Sequence, residues 1–357
     1  MVSVTKVFDW LDQRLSIRTW QQLAEKKTVP IHRHSVWYYL GGIALVLLLV
    51  QVATGGLLMV YYIPELASAH ASILKINTQI NFGWFIRSLH SWGANIMILA
   101  LFVHLFSTYF MKAYRPPREL TWLTGLALMV LAFGFGFTGY LLPWDEVSFF
   151  ATKIGIDITS KTPFIGEFMA SMLRGGPEVG QATLSRFFVI HIFLLPLGLL
   201  ALLGVHLLMI QLHGISEPDA VKALPEAQKE SEKFFPTFVL KDLMVWLLVL
   251  NALSVLVGIF PWGLGPEADP YAPAPEGIKP EWYFLAMFQF LKLMPPTIGP
   301  LEGEQVGMMI FGIIGLLFAA MPFIDRGHNP KLSGWARLFG QIVLVGFVFF
   351  TIWGFAS

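Results

Sequence analysis

The sequence predicts an all-α membrane protein of seven transmembrane helices, the first four forming one bundle, with a short amphipathic helix ahead of them. Hydrophobic residues make up 55% of the 357 positions and charged residues only 13%, against about a quarter charged in a soluble domain. The apolar residues gather in long, nearly uncharged runs, which marks bilayer spans rather than an enlarged core. Net charge is +1 with no basic stripe, so nothing selects nucleic acid as a partner.

The first residues, MVSVTKVFDWLDQRL, lack the apolar centre of a signal peptide. They place Val4, Val7, Phe8 and Leu11 on one side of a helix expected to lie along the membrane surface. Apolar stretches follow at about 36–62, 82–110, 119–142, 187–212, 238–260, 305–324 and 335–355, each long enough to cross a bilayer. Lys26, Lys27, Arg33, Lys112, Arg115, Arg118, Lys222, Lys229, Lys233, Arg326, Lys331 and Arg337 crowd one set of connections. The positive-inside rule then puts the N-terminus in the cytoplasm and, after seven spans, the C-terminus outside.

Two outer connections are long. Residues 143–186 contain short helical patterns around Val147–Ile154 and Pro163–Leu173, and residues 261–304 are rich in Pro, Gly and acidic side chains. Loops of this kind on one side of a bundle usually shape a site there. The chain divides into an interfacial segment, 1–34, a four-span domain, 35–213, a polar cytoplasmic linker, 214–236, and a three-span domain, 237–357.

The chemistry lies in four histidines. His90 and His104 are 14 residues apart in the second span, and His191 and His206 are 15 apart in the fourth. Fourteen residues are close to four helical turns, a separation of roughly 21 Å on nearly one face. The 15-residue step implies a slightly greater rise and a modest rotation. Both spans run in one direction, so His90 and His191 share an outer level while His104 and His206 share an inner one. Each level offers two imidazoles to one iron, and six-coordinate iron without an open position suits electron transfer. Interhelical hydrogen bonding is the structural alternative for membrane histidines. A proton relay would need acidic partners, and these two spans contain none.

Gly41 and Gly55 in the first span, and Gly125 and Gly139 in the third, repeat the 14-residue interval. Glycine lets a flat macrocycle approach the backbone, although small residues also serve plain helix packing. Arg87, one turn before His90, is a candidate partner for a cofactor carboxylate, with interfacial snorkelling as its alternative. Arg118 is counted with it. Cysteine is absent, so this chain offers no thiolate metal site, iron–sulfur ligation or thioether-linked haem c.

The stretches FIRSLHSWGANIMILALFVHLF, RPPRELTWLTG, GYLLPWDEVSFFATKI and PEWY at 280–283 resemble cytochrome b of the quinol-oxidising bc and bf complexes. The 15-residue histidine step, RELTW and GEFMASMLRGG are similar to the bf type, here as a fusion of its four-helix cytochrome b with a three-helix subunit IV. The resemblance implies a di-haem bundle. An outer low-potential haem b would sit on His90 and His191, and an inner high-potential one on His104 and His206. It also implies an outer quinol-oxidising site formed by Gly139, Tyr140, Pro143, Trp144 and the segment Pro280, Glu281, Trp282 and Tyr283. There Glu281 is the proton acceptor, and Tyr140 and Tyr283 shape the pocket. Lys241 and Asp242 resemble an inner quinone-reducing site, with Gln211 and His213 beside it. Tyr39 stands where bf-type proteins carry the cysteine that tethers a further haem; a non-covalent third haem stays open.

The resemblance further implies proton translocation by a Q cycle, a Rieske-type iron–sulfur protein, a c-type cytochrome or other acceptor subunit, and a homodimer. The expected location is a bacterial inner membrane, in contact with lipid. The rival readings are a di-haem membrane anchor of a hydrogenase or formate dehydrogenase complex, and a non-redox transporter. His32, His34, His70 and His328 are expected in loops or at the interface, away from any haem.

Overall fold

The computed structural model describes residues 4–19 and 27–357; Lys26 and the start of the interfacial segment lie outside the described residues. Among the described residues, seven helices are long and apolar enough to span a bilayer: Ser35–Met59, Gly83–Phe110, Glu119–Leu141, Gln181–His213, Phe234–Ile259, Gly303–Ile324 and Pro330–Ala356. They match the seven expected spans in order and, within a few residues, in extent. Leu197, Leu200, Leu248, Leu316 and Val345 are among many apolar side chains left exposed on their outer faces. Such a surface is stable only against lipid, and the chain is an integral membrane protein.

The first span packs on the second, and the third on the fourth. The fifth leans on the first two around Val46, Leu47, Met97, Leu253 and Val257. The sixth packs on the third, and the seventh on the second. Ahead of them α1, Val4–Leu15, forms as the apolar spacing predicts, with Val4, Val7, Trp10 and Leu15 exposed.

The fourth span is not a uniform helix. Its Ile190–Leu194 segment is a π turn, in which the Leu195 N–H bonds the Ile190 carbonyl five residues back. Pro196 has no N–H to give the Ile192 carbonyl and crowds it, so the turn widens here. The widened turn absorbs one residue, and the 15-residue step then keeps phase with the 14-residue step across the bundle. This corrects the expected modest rotation.

The long loop after the third span contains helices Glu146–Ser160 and Gly166–Arg174, close to the two expected patterns. With Leu141, Trp144, Leu184 and Phe187 it closes a compact apolar cluster. The elements not anticipated include helix Ala69–Gln79 between the first two spans, helix Trp282–Lys292 beginning within PEWY, and two small two-stranded sheets, of which one ties distant segments together. In that sheet β1, Thr28–Ile31, pairs antiparallel with β2, Glu230–Lys233. The linker is therefore stapled to the N-terminal segment rather than left free.

The two parts of the chain are locked together by Asp325, in the turn between the sixth and seventh spans. Fully buried, it accepts from Tyr114 Oη (2.6 Å), Ser333 Oγ (2.7 Å) and the Arg115 guanidinium (2.8 Å), with Lys112 at 3.5 Å. Burial alone would push this carboxyl up, but the hydroxyls and cations outweigh it and hold its pKa at about 2. A depressed carboxyl stabilises the fold above its unfolded pKa of about 4 and loses that contribution as pH falls towards about 2. Asp325→Asn is expected to cost about 3–5 kcal/mol by leaving buried cations unpaired. It should lower the thermal unfolding temperature of the detergent-solubilised protein at neutral pH, with the gap to the parent narrowing below pH ~4.

Candidate functional site

The four histidines meet across the bundle. The rings of His90 and His191 face each other with centroids 6.3 Å apart and planes inclined at 68°. That gap accommodates one metal ion with a bond of about 2 Å to each imidazole. His104 and His206 lie deeper on the same two spans, at the level of Gly41 and Gly125.

The glycines are opposite them. A Cβ on Gly139 would lie 2.7 Å from His191 Cε1, on Gly55 3.2 Å from His90 Cε1, on Gly125 3.3 Å from His206 Cε1, and on Gly41 3.5 Å from His104 Cε1. Among the described residues no group of three or more His, Cys, Asp or Glu gathers as a metal site. A metal between two imidazoles therefore needs its other donors from a non-protein group, and a planar macrocycle supplies four in one plane. Paired imidazoles with side-chain-free backbone beside them fit that group.

Hydroxyls support three of the four rings. Thr54 Oγ1 lies 2.9 Å from His90 Nδ1, Thr138 Oγ1 3.2 Å from His191 Nδ1, and Thr124 Oγ1 3.0 Å from His206 Nδ1. His104 Nδ1 is buried with no partner. The sequence carried the signal in three Thr-Gly pairs, at 54–55, 124–125 and 138–139, and a Leu-Gly at 40–41.

Above the outer pair lies a second cluster. Tyr283 is buried and stacks on Phe133, its hydroxyl set where a Cβ on Gly136 would be, at 2.4 Å. Gly136 is one turn from Gly139, so one helix joins the tyrosine to the outer histidines. Glu281 stands half-buried at the N-terminal boundary of helix Trp282–Lys292 without a side-chain capping bond, and Trp282 donates to Asn95 Oδ1 at 2.9 Å. Burial raises the Glu281 carboxyl above its ordinary range; the Trp282 backbone bond opposes this and the charge of Asp145 adds to it. Burial and the charge of Glu281 keep the Tyr283 phenol firmly protonated.

Trp144, just past the third span, is buried with a left-handed backbone at φ 53°, a conformation costing a bulky residue of order 1–3 kcal/mol. The Ala268 N–H donates to its carbonyl at 3.1 Å, and the Glu146 N–H donates to Pro266 at 2.9 Å. The third-span end, with Tyr140 and Pro143, thus meets the loop leading to Pro280. Asp145 was missing from the sequence-derived site; it caps helix Glu146–Ser160 through Ser148 N–H and electrostatically faces Glu281.

Other candidates are placed differently. Arg87 is buried, and its terminal nitrogens donate to the carbonyls of Trp262 and Gly263, both at 2.9 Å, fastening the fifth-span loop to the second span. Arg118 donates to the His213 carbonyl at 3.0 Å, while its Nε and His213 Nδ1 are buried without partners. Lys27 holds Gln211 through its carbonyl at 2.7 Å and its side-chain oxygen. Lys241 and Asp242 do not pair: Lys241 binds Glu232, whereas Asp242 turns to Gly42 and keeps one buried oxygen unpartnered. Tyr39 stacks on Phe238 with centroids 5.0 Å apart. His32 contacts Tyr38 Oη at 2.7 Å and His70 the Gly265 carbonyl at 2.8 Å, away from the paired rings.

Fold and site together define an integral membrane protein of seven spans with paired histidines facing glycines inside its first four. The family described as cytochrome b/b6/petB matches residues 25–214, and the one described as cytochrome b (C-terminal)/b6/petD matches residues 267–356. The chain is 46% identical over 319 residues to the "Cytochrome bc complex cytochrome b subunit" of Chlorobaculum thiosulfatiphilum, covering 89% of this chain and 73% of that protein. It is 46% identical over 215 residues to "Cytochrome b6" of Synechococcus sp. (strain JA-3-3Ab), covering 60% of this chain and 100% of that protein. A solved "Hyperthermophilic respiratory Complex III" chain superposes with a TM-score of 0.79 at 25% identity, over 98% of each chain. The chain belongs to the cytochrome b/b6 family and is a cytochrome b subunit of the bc/b6f type, part of an oxidoreductase complex.

Membership brings b-type haem binding, and the glycine contacts rank its sensitivity. Gly139→Ala forces an overlap worth about 1–3 kcal/mol and should deplete haem, whereas Gly41→Ala places its Cβ in ordinary contact and should retain it. Pyridine haemochrome assay of the two purified variants measures the difference.

Proposed function

We propose that this chain is the membrane subunit of a quinol-oxidising, proton-translocating complex. In this reading it binds two haem b groups, one on His90 with His191 and one on His104 with His206, and quinones at opposite faces. The observation that carries the reading is the facing of His90 and His191 one turn along the third span from the buried Tyr283. When bound, the haems supply one-electron carriers at two depths of the bundle.

The chain's own residues hold and move the protons. A bound quinol loses two protons and two electrons on becoming quinone. Glu281 takes a proton at the outer site, because burial has moved its carboxyl towards the range where it can both accept and release. Tyr140 and Tyr283 orient the substrate hydroxyl; Pro143, Trp144, Pro280 and Trp282 exclude water. At the inner site Asp242, Lys241, Gln211 and His213 bring protons to quinone. Proton release on one face and uptake on the other give charge separation.

In this reading the membrane is a bacterial inner membrane, and the basic loops favour an N-terminus in the cytoplasm and a C-terminus outside. The domain division at the 214–236 linker follows the two halves. A Rieske-type iron–sulfur protein and a c-type cytochrome or equivalent would receive the electrons that leave, and the complex would be a homodimer. A di-haem dehydrogenase anchor needs the four histidines but not the Glu281–Tyr283 cluster, whose packing into the third span favours quinol oxidation.

Glu281→Gln should lower quinol oxidation about 10²-fold with haem content unchanged; turnover equal to the parent refutes the assignment. A proton acceptor works when ionised, so the parent rate should rise with pH through the raised Glu281 pKa and the variant's rise should disappear. Stopped-flow reduction of the b bands by quinol across pH measures both.

A further inference from the structure

The threonine supports are distributed unevenly between the two levels. Thr54 Oγ1 donates to the Val50 carbonyl at 2.6 Å, Thr138 Oγ1 to Gly134 at 2.7 Å, and Thr124 Oγ1 to Leu120 at 2.8 Å. A hydroxyl has one proton, and each of these is already given to a helix carbonyl. Toward the imidazole each oxygen can therefore only accept. His90, His191 and His206 then carry the proton on Nδ1 and keep the Nε2 lone pair free for a metal. His104 differs: its Cε1 and Nε2 edge faces Gly41, Leu40 has no hydroxyl, and Nδ1 is buried without a partner.

We propose that Thr54, Thr138 and Thr124 are positioning residues that set haem potential, two acting at the outer level and one at the inner. Leu40, by leaving His104 unsupported, keeps the inner haem more readily reduced. The inference rests on the histidine ligation proposed above. An imidazole that donates from Nδ1 is a more basic ligand and favours the more highly charged metal. Two such ligands lower the reduction potential more than one. Electrons moving inward then run downhill from the doubly supported level to the singly supported one.

The test is a spectroelectrochemical titration of the purified complex, with both b bands followed together and haem counted by pyridine haemochrome. Thr54→Val and Thr138→Val should each raise the outer midpoint by up to a tenfold change in its reduction equilibrium, ~59 mV for one electron, leaving the inner one in place. Thr124→Val should raise the inner midpoint alone, and Leu40→Thr should lower it. Thr54→Ser, which keeps the acceptor, should restore the parent value. Unchanged midpoints in Thr54→Val and Leu40→Thr, with both haems retained, overturn the proposal while leaving the ligation intact. His104→Leu that keeps both b bands overturns the ligation itself.

Discussion

The pairing of imidazoles across the second and fourth spans is the constraint on which the rest of the molecule depends. A histidine inside a bilayer helix is stable only with a partner, and here partners come from the neighbouring first and third spans. Those spans present backbone rather than side chains at four points, and hydroxyls at three. Close approach at glycine fixes where the helices touch, and that fixes both levels of the bundle.

The π turn at Ile190–Leu194 follows from the same requirement. A 15-residue step in a regular helix would swing His206 away from the level set by His104. Pro196 breaks the bonding pattern where one residue has to be absorbed, and the widened turn begins one residue before His191. Farther out, the left-handed Trp144 and the Ala268 and Pro266 backbone bonds bring the end of the third span to the loop carrying Glu281. The outer cluster is thus built on the helix that also backs His191.

Much of this was legible in the chain. Uncharged apolar runs fix the spans because lipid tolerates little else, and the histidine intervals fix the levels because a helix converts spacing into depth. The two loop helices near Val147 and Pro163 were visible as periodic patterns. What stayed hidden depends on contacts distant in sequence. Thr28–Ile31 and Glu230–Lys233 are polar or short and signal no sheet until they meet. Asp325 reads as a turn residue until Tyr114 and Arg115 surround it. Arg87 bonds two carbonyls of the fifth-span loop, contacts that its position before His90 does not announce. The Thr-Gly pairs were readable, since a hydroxyl one residue before a close-approach glycine lies on the same helix face.

The central proposal is that two haem irons would each be held by two imidazoles from different spans. Electron paramagnetic resonance of the fully oxidised purified protein tests this most directly. Two imidazole nitrogens on each ferric haem would leave it low-spin, so the account predicts two low-spin populations per chain. A single low-spin haem per chain, or none, would contradict it.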